Sequence, residues 1–146
     1  MKNRIIIVCA VVFSAIGIGF SSNLQKAEIS DLADYGAKCA IPSFEEAFKN
    51  SKSVFVGKVI SAEKNGDVRT FKFRSEKFWK GSRAKSIEIE VYETTRFQAW
   101  FEVGEKYLIF ANDSDGKLSV GRCSRSNEIS GAKDDLKSLG KGKKSK

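Results

Sequence analysis

The sequence predicts a mainly β protein: a five-stranded, OB-like Greek-key barrel with a short N-terminal helix before the strands and a C-terminal helix after them. Three observations point there. Runs of β-branched and aromatic residues recur with period-two alternation between positions 54 and 123. Eleven phenylalanines against a single proline supply apolar mass for one packed core. Two cysteines, Cys39 and Cys123, stand at either end of this patterned stretch. Five short antiparallel strands with meander connections close most readily into a small barrel, because closure hides the edge strands and a Phe-rich inner face fills the interior.

The chain opens with a leader. Lys2 and Arg4 are followed by the apolar, uncharged run Ile5 to Phe20 and then by Ser21-Ser22. Residues 1–22 therefore read as a secretory signal peptide. The 16-residue run falls short of the roughly 20 needed to span a bilayer, with a retained anchor as the alternative. Cleavage removes Cys9 and sends the chain to the periplasm, the cell surface or the medium. In such an oxidising compartment a Cys39–Cys123 disulfide forms and persists; two free buried thiols are the other reading. Chain entropy assigns a loop of that length roughly 4 to 5 kcal/mol.

Residues 23–38 are weakly patterned and read as a lead-in. Ser43 and Glu46 then match a capping box, and Phe44, Ala47 and Phe48 share one stripe, so a helix is expected from about Ser43 to Asn50. Strands follow: Val54 to Ile60, a turn at Lys64-Asn65-Gly66-Asp67, Val68 to Phe78, and Ile87 to Val91 in strict alternation with Glu88 and Glu90. Tyr107 to Phe110 are four consecutive large apolar residues, which implies a strand buried on both faces. Asn112 to Gly116 turns, Lys117 to Cys123 pairs back, and Ala132 to Leu139 is helical in composition, ended by Gly140. The stretch 141–146 reads as a basic, disordered tail.

The formal charge of +8 shrinks once it is located. Lys2 and Arg4 lie in the leader and six lysines lie from position 133 onward, leaving about +2 between positions 23 and 132. There is no histidine, so Ser-His, Cys-His and His-bearing zinc sites are all ruled out. Two distant cysteines offer no CxxC clip. The carboxylate pairs Glu45-Glu46, Glu88-Glu90 and Asp134-Asp135 read as helix-start charges, outward strand positions and a solvated helix face. No catalytic residue, metal site or cofactor is therefore expected. Lys72, Arg74, Lys77, Lys80, Arg83 and Lys85 cluster around Phe78 and Trp79, a pattern that fits polyanion binding through a basic barrel face. Export disfavours nucleic acid as the ligand and leaves an anionic glycan or membrane surface.

The order C-x-I-P-S-F-E-E-A-F, S-V-F-V-G-K-V, F-W-K-G, V-G-E-K-Y-L-I-F-A and G-R-C-S-R-S resembles the bacterial members of the netrin-like family, which includes the tissue inhibitors of metalloproteinases. The resemblance covers 39–140 and implies an OB-like barrel. Family members commonly begin with C-x-C, whereas this chain has Ile41 and no cysteine between Thr94 and Val103, so one of the family's bonds is missing and Cys39–Cys123 would be the one retained.

In the animal inhibitors the terminal amine of the first cysteine chelates the target's zinc. Here about 17 residues separate the expected signal cut from Cys39, and that mechanism requires a second cut before Cys39. The leading expectation is an exported, non-enzymatic protein-interaction module. Its partner would be another protein, with a protease or an envelope component among the candidates. Metalloendopeptidase inhibition and polyanion binding are the alternatives. By the resemblance, the contact surface would be the edge Cys39, Ala40 and Ile41 together with the 94–100 loop bearing Phe97 and Trp100; packing beneath a bulge is the other role open to those two aromatics.

Overall fold

A computed structural model describes residues 39–146. The expected signal peptide and lead-in lie outside the described residues. The fold is mainly β with two helices. In chain order the elements are α1 (Phe44–Asn50), β1 (Ser53–Asn65), β2 (Val68–Lys80), β3 (Ser86–Tyr92), β4 (Lys106–Ser114), β5 (Lys117–Ser119), β6 (Asn127–Glu128), α2 (Lys133–Leu139) and β7 (Lys143–Lys144). All seven strands belong to one sheet of order β1-β2-β3-β5-β4-β6, with β7 on β2, and a further β1–β4 pairing closes five of them into a ring. Every pairing is antiparallel except β3–β5.

Each element forms for a local reason. The capping box of α1 is present: the Ser43 amide donates to Glu46 Oε2 at 3.0 Å, and the Glu46 amide donates to Ser43 Oγ at 3.2 Å. β1 runs five residues past its expected end at Ile60 and pairs with both β2 and β4 along its first half. Three register shifts along the β1–β2 ladder supply the bending that ring closure requires. Gly66, with φ of 60°, takes the first position of the two-residue turn into β2. Gly81 ends β2 with φ of 86°, and a Cβ there would stand 2.8 Å from Ser53 Oγ and 2.9 Å from the Lys52 carbonyl. That crowding, as well as its φ, reserves the end of F-W-K-G for glycine.

Alternation separates two clusters of buried side chains. Inside the ring, Phe55, Phe71, Phe73, Ile89 and Ile109 pack with Phe101 and Tyr107. Phe101 meets Phe71, Phe73 and Tyr107 edge-on, with centroids 4.9 to 5.4 Å apart. Outside it, Val54, Val56, Leu108 and Phe110 pack beneath α1 and α2. The Tyr107–Phe110 run is thus buried on both faces of its strand.

Two segments differ from expectation. β5 stops at Ser119, because the Val120 amide crosses to the Glu90 carbonyl and the chain then turns through Gly121–Ser124, so Cys123 lies in a turn rather than a strand. The 141–146 stretch is not a loose tail: Lys143–Lys144 form β7 on Lys77–Phe78. Gly142 lies so close to the Trp79 ring that a Cβ would stand 2.8 Å from it. The Ser145 hydroxyl meets that of Ser75 at 2.6 Å. The six-residue segment finds this seat because β3 begins at Ser86 opposite Arg74, which leaves the last third of β2 with an open edge.

Candidate functional site

Cys39 and Cys123 are joined by a disulfide across 84 positions. The bond fastens the segment entering α1 to the turn that leaves β5. The residues after Cys123 strengthen the same junction. Ser126 Oγ accepts from the Phe110 amide at 2.8 Å and Ser124 Oγ donates to the Phe110 carbonyl at 3.3 Å, so two hydroxyls replace a strand at that point of β4. Arg125 donates to both carboxylate oxygens of Asp135 on α2, at 2.9 and 2.7 Å, and to the Pro42 carbonyl at 3.0 Å. One guanidinium thereby connects the entry to α1, the turn and α2. Asp135 is a buried ion-pair member, not part of a solvated helix face.

Beside this junction lies a cleft of about 270 Å³ lined by Pro42, Glu46, Phe110, Gly121, Cys123 and Arg125, among others. Ala40 and Ile41 are exposed, Ile41 with 62% of its surface accessible, and Ile41 lines a separate cleft with Ser124, Arg125 and Asp135.

The other two aromatic candidates are placed differently. Phe97 and Trp100 are half-buried against the ring core; their ring centroids are 5.8 Å apart, and Trp100 meets Phe101 at 4.9 Å. Their loop is tied at both ends. The Thr94 and Phe97 backbones bond each other, and Tyr107 Oη accepts from the Glu102 amide at 3.0 Å. Phe97 nevertheless lines a second cleft, of about 320 Å³, with Tyr92, Val120, Gly121 and Arg122. Gly121 is common to both clefts. Cys123, bonded to Cys39, and Phe97 thus line two clefts that share Gly121, while Trp100 lines neither.

Glu93 is a central residue that hydropathy reasoning passed over. It is 4% exposed, yet it is answered by Arg69 through two contacts of 2.8 and 3.2 Å, by Lys64 Nζ at 2.8 Å and by the Ala99 amide at 2.9 Å. Arg69 first, then Lys64 and the Ala99 amide, hold its carboxyl down at about 2. The only signal in the sequence was an acidic residue just past a strictly alternating strand. Its role is to tie the 94–100 loop to the β1–β2 hairpin.

Of the basic residues grouped by sequence, Lys80 is occupied elsewhere, donating at 2.9 Å to the Phe48 and Lys49 carbonyls at the end of α1. Arg83 lies over the Phe78 ring, 5.6 Å from its centroid. Lys72, Arg74, Lys77 and Lys85 remain exposed. Among the described residues no three His, Cys, Asp or Glu side chains come together as metal ligands. No family model matches the sequence, and no curated protein matches it.

Proposed function

We propose that the protein is an exported, non-enzymatic interaction module built on a netrin-like OB barrel. Its contact surface runs from Cys39, Ala40 and Ile41 across the 120–123 turn to Phe97. The five-stranded ring with its single parallel closure, β3 on β5, supports the OB-type Greek-key reading of the fold. The observation that carries the functional reading is the shared lining of the two clefts at Gly121. One cleft is lined by Cys123, the disulfide partner of Cys39, and the other by Phe97, so the reading that both stretches serve one surface is supported by their shared Gly121. A disulfide pre-organises that surface, which lowers the ordering cost of binding.

Within it, Ile41 is the exposed anchor, and Phe97 contributes through the wall of its cleft. Trp100 supports the loop from beneath. A zinc-directed inhibitor would need a free amine on Cys39, and no observation favours that reading over a protein contact made by side chains.

The test is site-specific photocrosslinking in cells that express the full chain, with the reactive residue at Ile41 and, as control, at Ile60 on the far half of β1. A discrete protein adduct from position 41 and none from position 60 is the expected result. Equal adducts at both, or none at 41, would sink the proposal. Alanine at Phe97 refines it, since loss of binding at unchanged melting temperature identifies contact and loss of melting temperature identifies packing.

A further inference from the structure

The opposite side of the outer layer holds a groove with a different chemistry. Val56, Trp79, Ile129 and Leu136 are its apolar lining, Glu76, Lys77 and Lys106 its charged lining, with Lys106 paired to Glu76, and its volume is about 320 Å³. That is at the lower bound for small-molecule sites, enough for a short apolar segment.

The cations around it are arranged at a cost. In the pairing register Lys58 lies directly between Lys106 on β4 and Arg74 on β2, and Lys77 lies directly opposite Lys144 on β7. Like charges placed directly across a ladder destabilise it. One carboxylate, Glu76, answers this group, at 2.8 Å from Lys106. Lys58, Arg74, Lys77 and Lys144 make no ion pair among the described residues. The seating of β7 on β2 is what fixes Lys144 there.

We propose that this groove binds an acidic phospholipid, with part of an acyl chain on Trp79, Ile129 and Leu136 and the phosphate at Lys77 and Lys106. Lys77, which makes no ion pair among the described residues, leaves the Glu76–Lys77–Lys106 lining net positive, and that selects an anion. The apolar floor selects an anion that carries a hydrocarbon body, which a sulfated polysaccharide or a free phosphate lacks. A tryptophan at the boundary suits such a ligand, because its ring is apolar and its N–H polar. This site is independent of the Cys39 surface, and its failure would leave that reading untouched.

The test is a titration of the isotope-labelled protein with dihexanoyl phosphatidylglycerol below its micellar concentration. It is followed at the Trp79 indole N–H, which donates to the Gly140 carbonyl at 3.2 Å. A saturable shift of that signal is expected, with dihexanoyl phosphatidylcholine and glycerol phosphate binding at least about tenfold more weakly. Lys77→Glu should weaken binding by about tenfold or more without lowering the melting temperature, since it removes the Lys77–Lys144 repulsion. No shift at Trp79 overturns the proposal. So does equal binding of the choline lipid, which would mean apolar contact alone, or of glycerol phosphate, which would mean charge alone. An unchanged affinity in Lys77→Glu would do the same.

Discussion

Val54 and Phe55 are neighbours on β1 and both are fully buried, but they belong to layers of different construction. Phe55 points into a ring of strands that closes on itself, where phenylalanines meet edge to face from β1, β2 and the loop before β4. Val54 lies under two seven-residue helices. Helices that short do not persist alone in water, so the outer layer needs ties for the helices themselves, where the inner one needs them only for its 94–100 loop. The ties are the disulfide, the Arg125 bridge, Lys80 on the end of α1 and Trp79 on Gly140. Closure holds the inner strands, with Glu93 fastening one loop to them, and a few polar or covalent links hold the outer layer.

This contrast can be broken by experiment. Cys39→Ser with Cys123→Ser should have the largest effect, up to about 4.5 kcal/mol from the loop length. In hydrogen exchange the α1 amides should lose protection before those of β1 and β2; simultaneous loss would mean that the layers are not separable. Phe73→Ala should cost about 4 kcal/mol and show the reverse pattern, with all elements melting together in chemical denaturation. Arg125→Ala should cost about 2 kcal/mol, because it leaves Asp135 buried without its partner and the Pro42 carbonyl without its donor. A measured cost near zero would show that the remaining ties secure the outer layer without Arg125.

The remaining test concerns the inner side and is read at acid pH. Glu93 has a folded-state pKa of about 2 against an ordinary value near 4.5. The stability it contributes is therefore complete above pH 4.5 and declines as pH falls toward 2. Melting temperatures measured from pH 7 to pH 2 should fall less steeply at the acid end in Glu93→Gln than in the parent chain. Parallel curves would show that the Arg69–Glu93–Lys64 group does not couple to folding.

The same contrast explains what could be read from the amino acids alone. Inner-layer strands announce themselves: Ile87, Ile89 and Val91 alternate with charged neighbours, and Tyr107–Phe110 is apolar without interruption because both of its faces are covered. The α1 cap was legible because Ser43 and Glu46 act within one turn. The outer ties were not. Arg125 joins partners 83 positions back and 10 ahead, and hydropathy assigns it to the surface. Glu93 was missed for the same reason, since a carboxylate is buried only when cations distant in sequence fold onto it. The lysine-rich 141–146 segment has no apolar pattern of its own; its seat is an edge created by the point at which β3 begins. Of the candidate site, Ile41 was singled out by resemblance alone, and the Gly121 shared by the two clefts was not legible, since a bare glycine carries no such signal.

The two-residue strand β7 has a further consequence for solubility. The final third of β2 would otherwise offer unpaired backbone donors and acceptors next to Phe78 and Trp79, the sort of edge onto which a second molecule can add a strand. β7 occupies that edge, and the residues it presents in turn are lysines, too few and too highly charged to recruit another chain. The segment that looks most dispensable in the sequence thus protects the sheet against edge-to-edge aggregation.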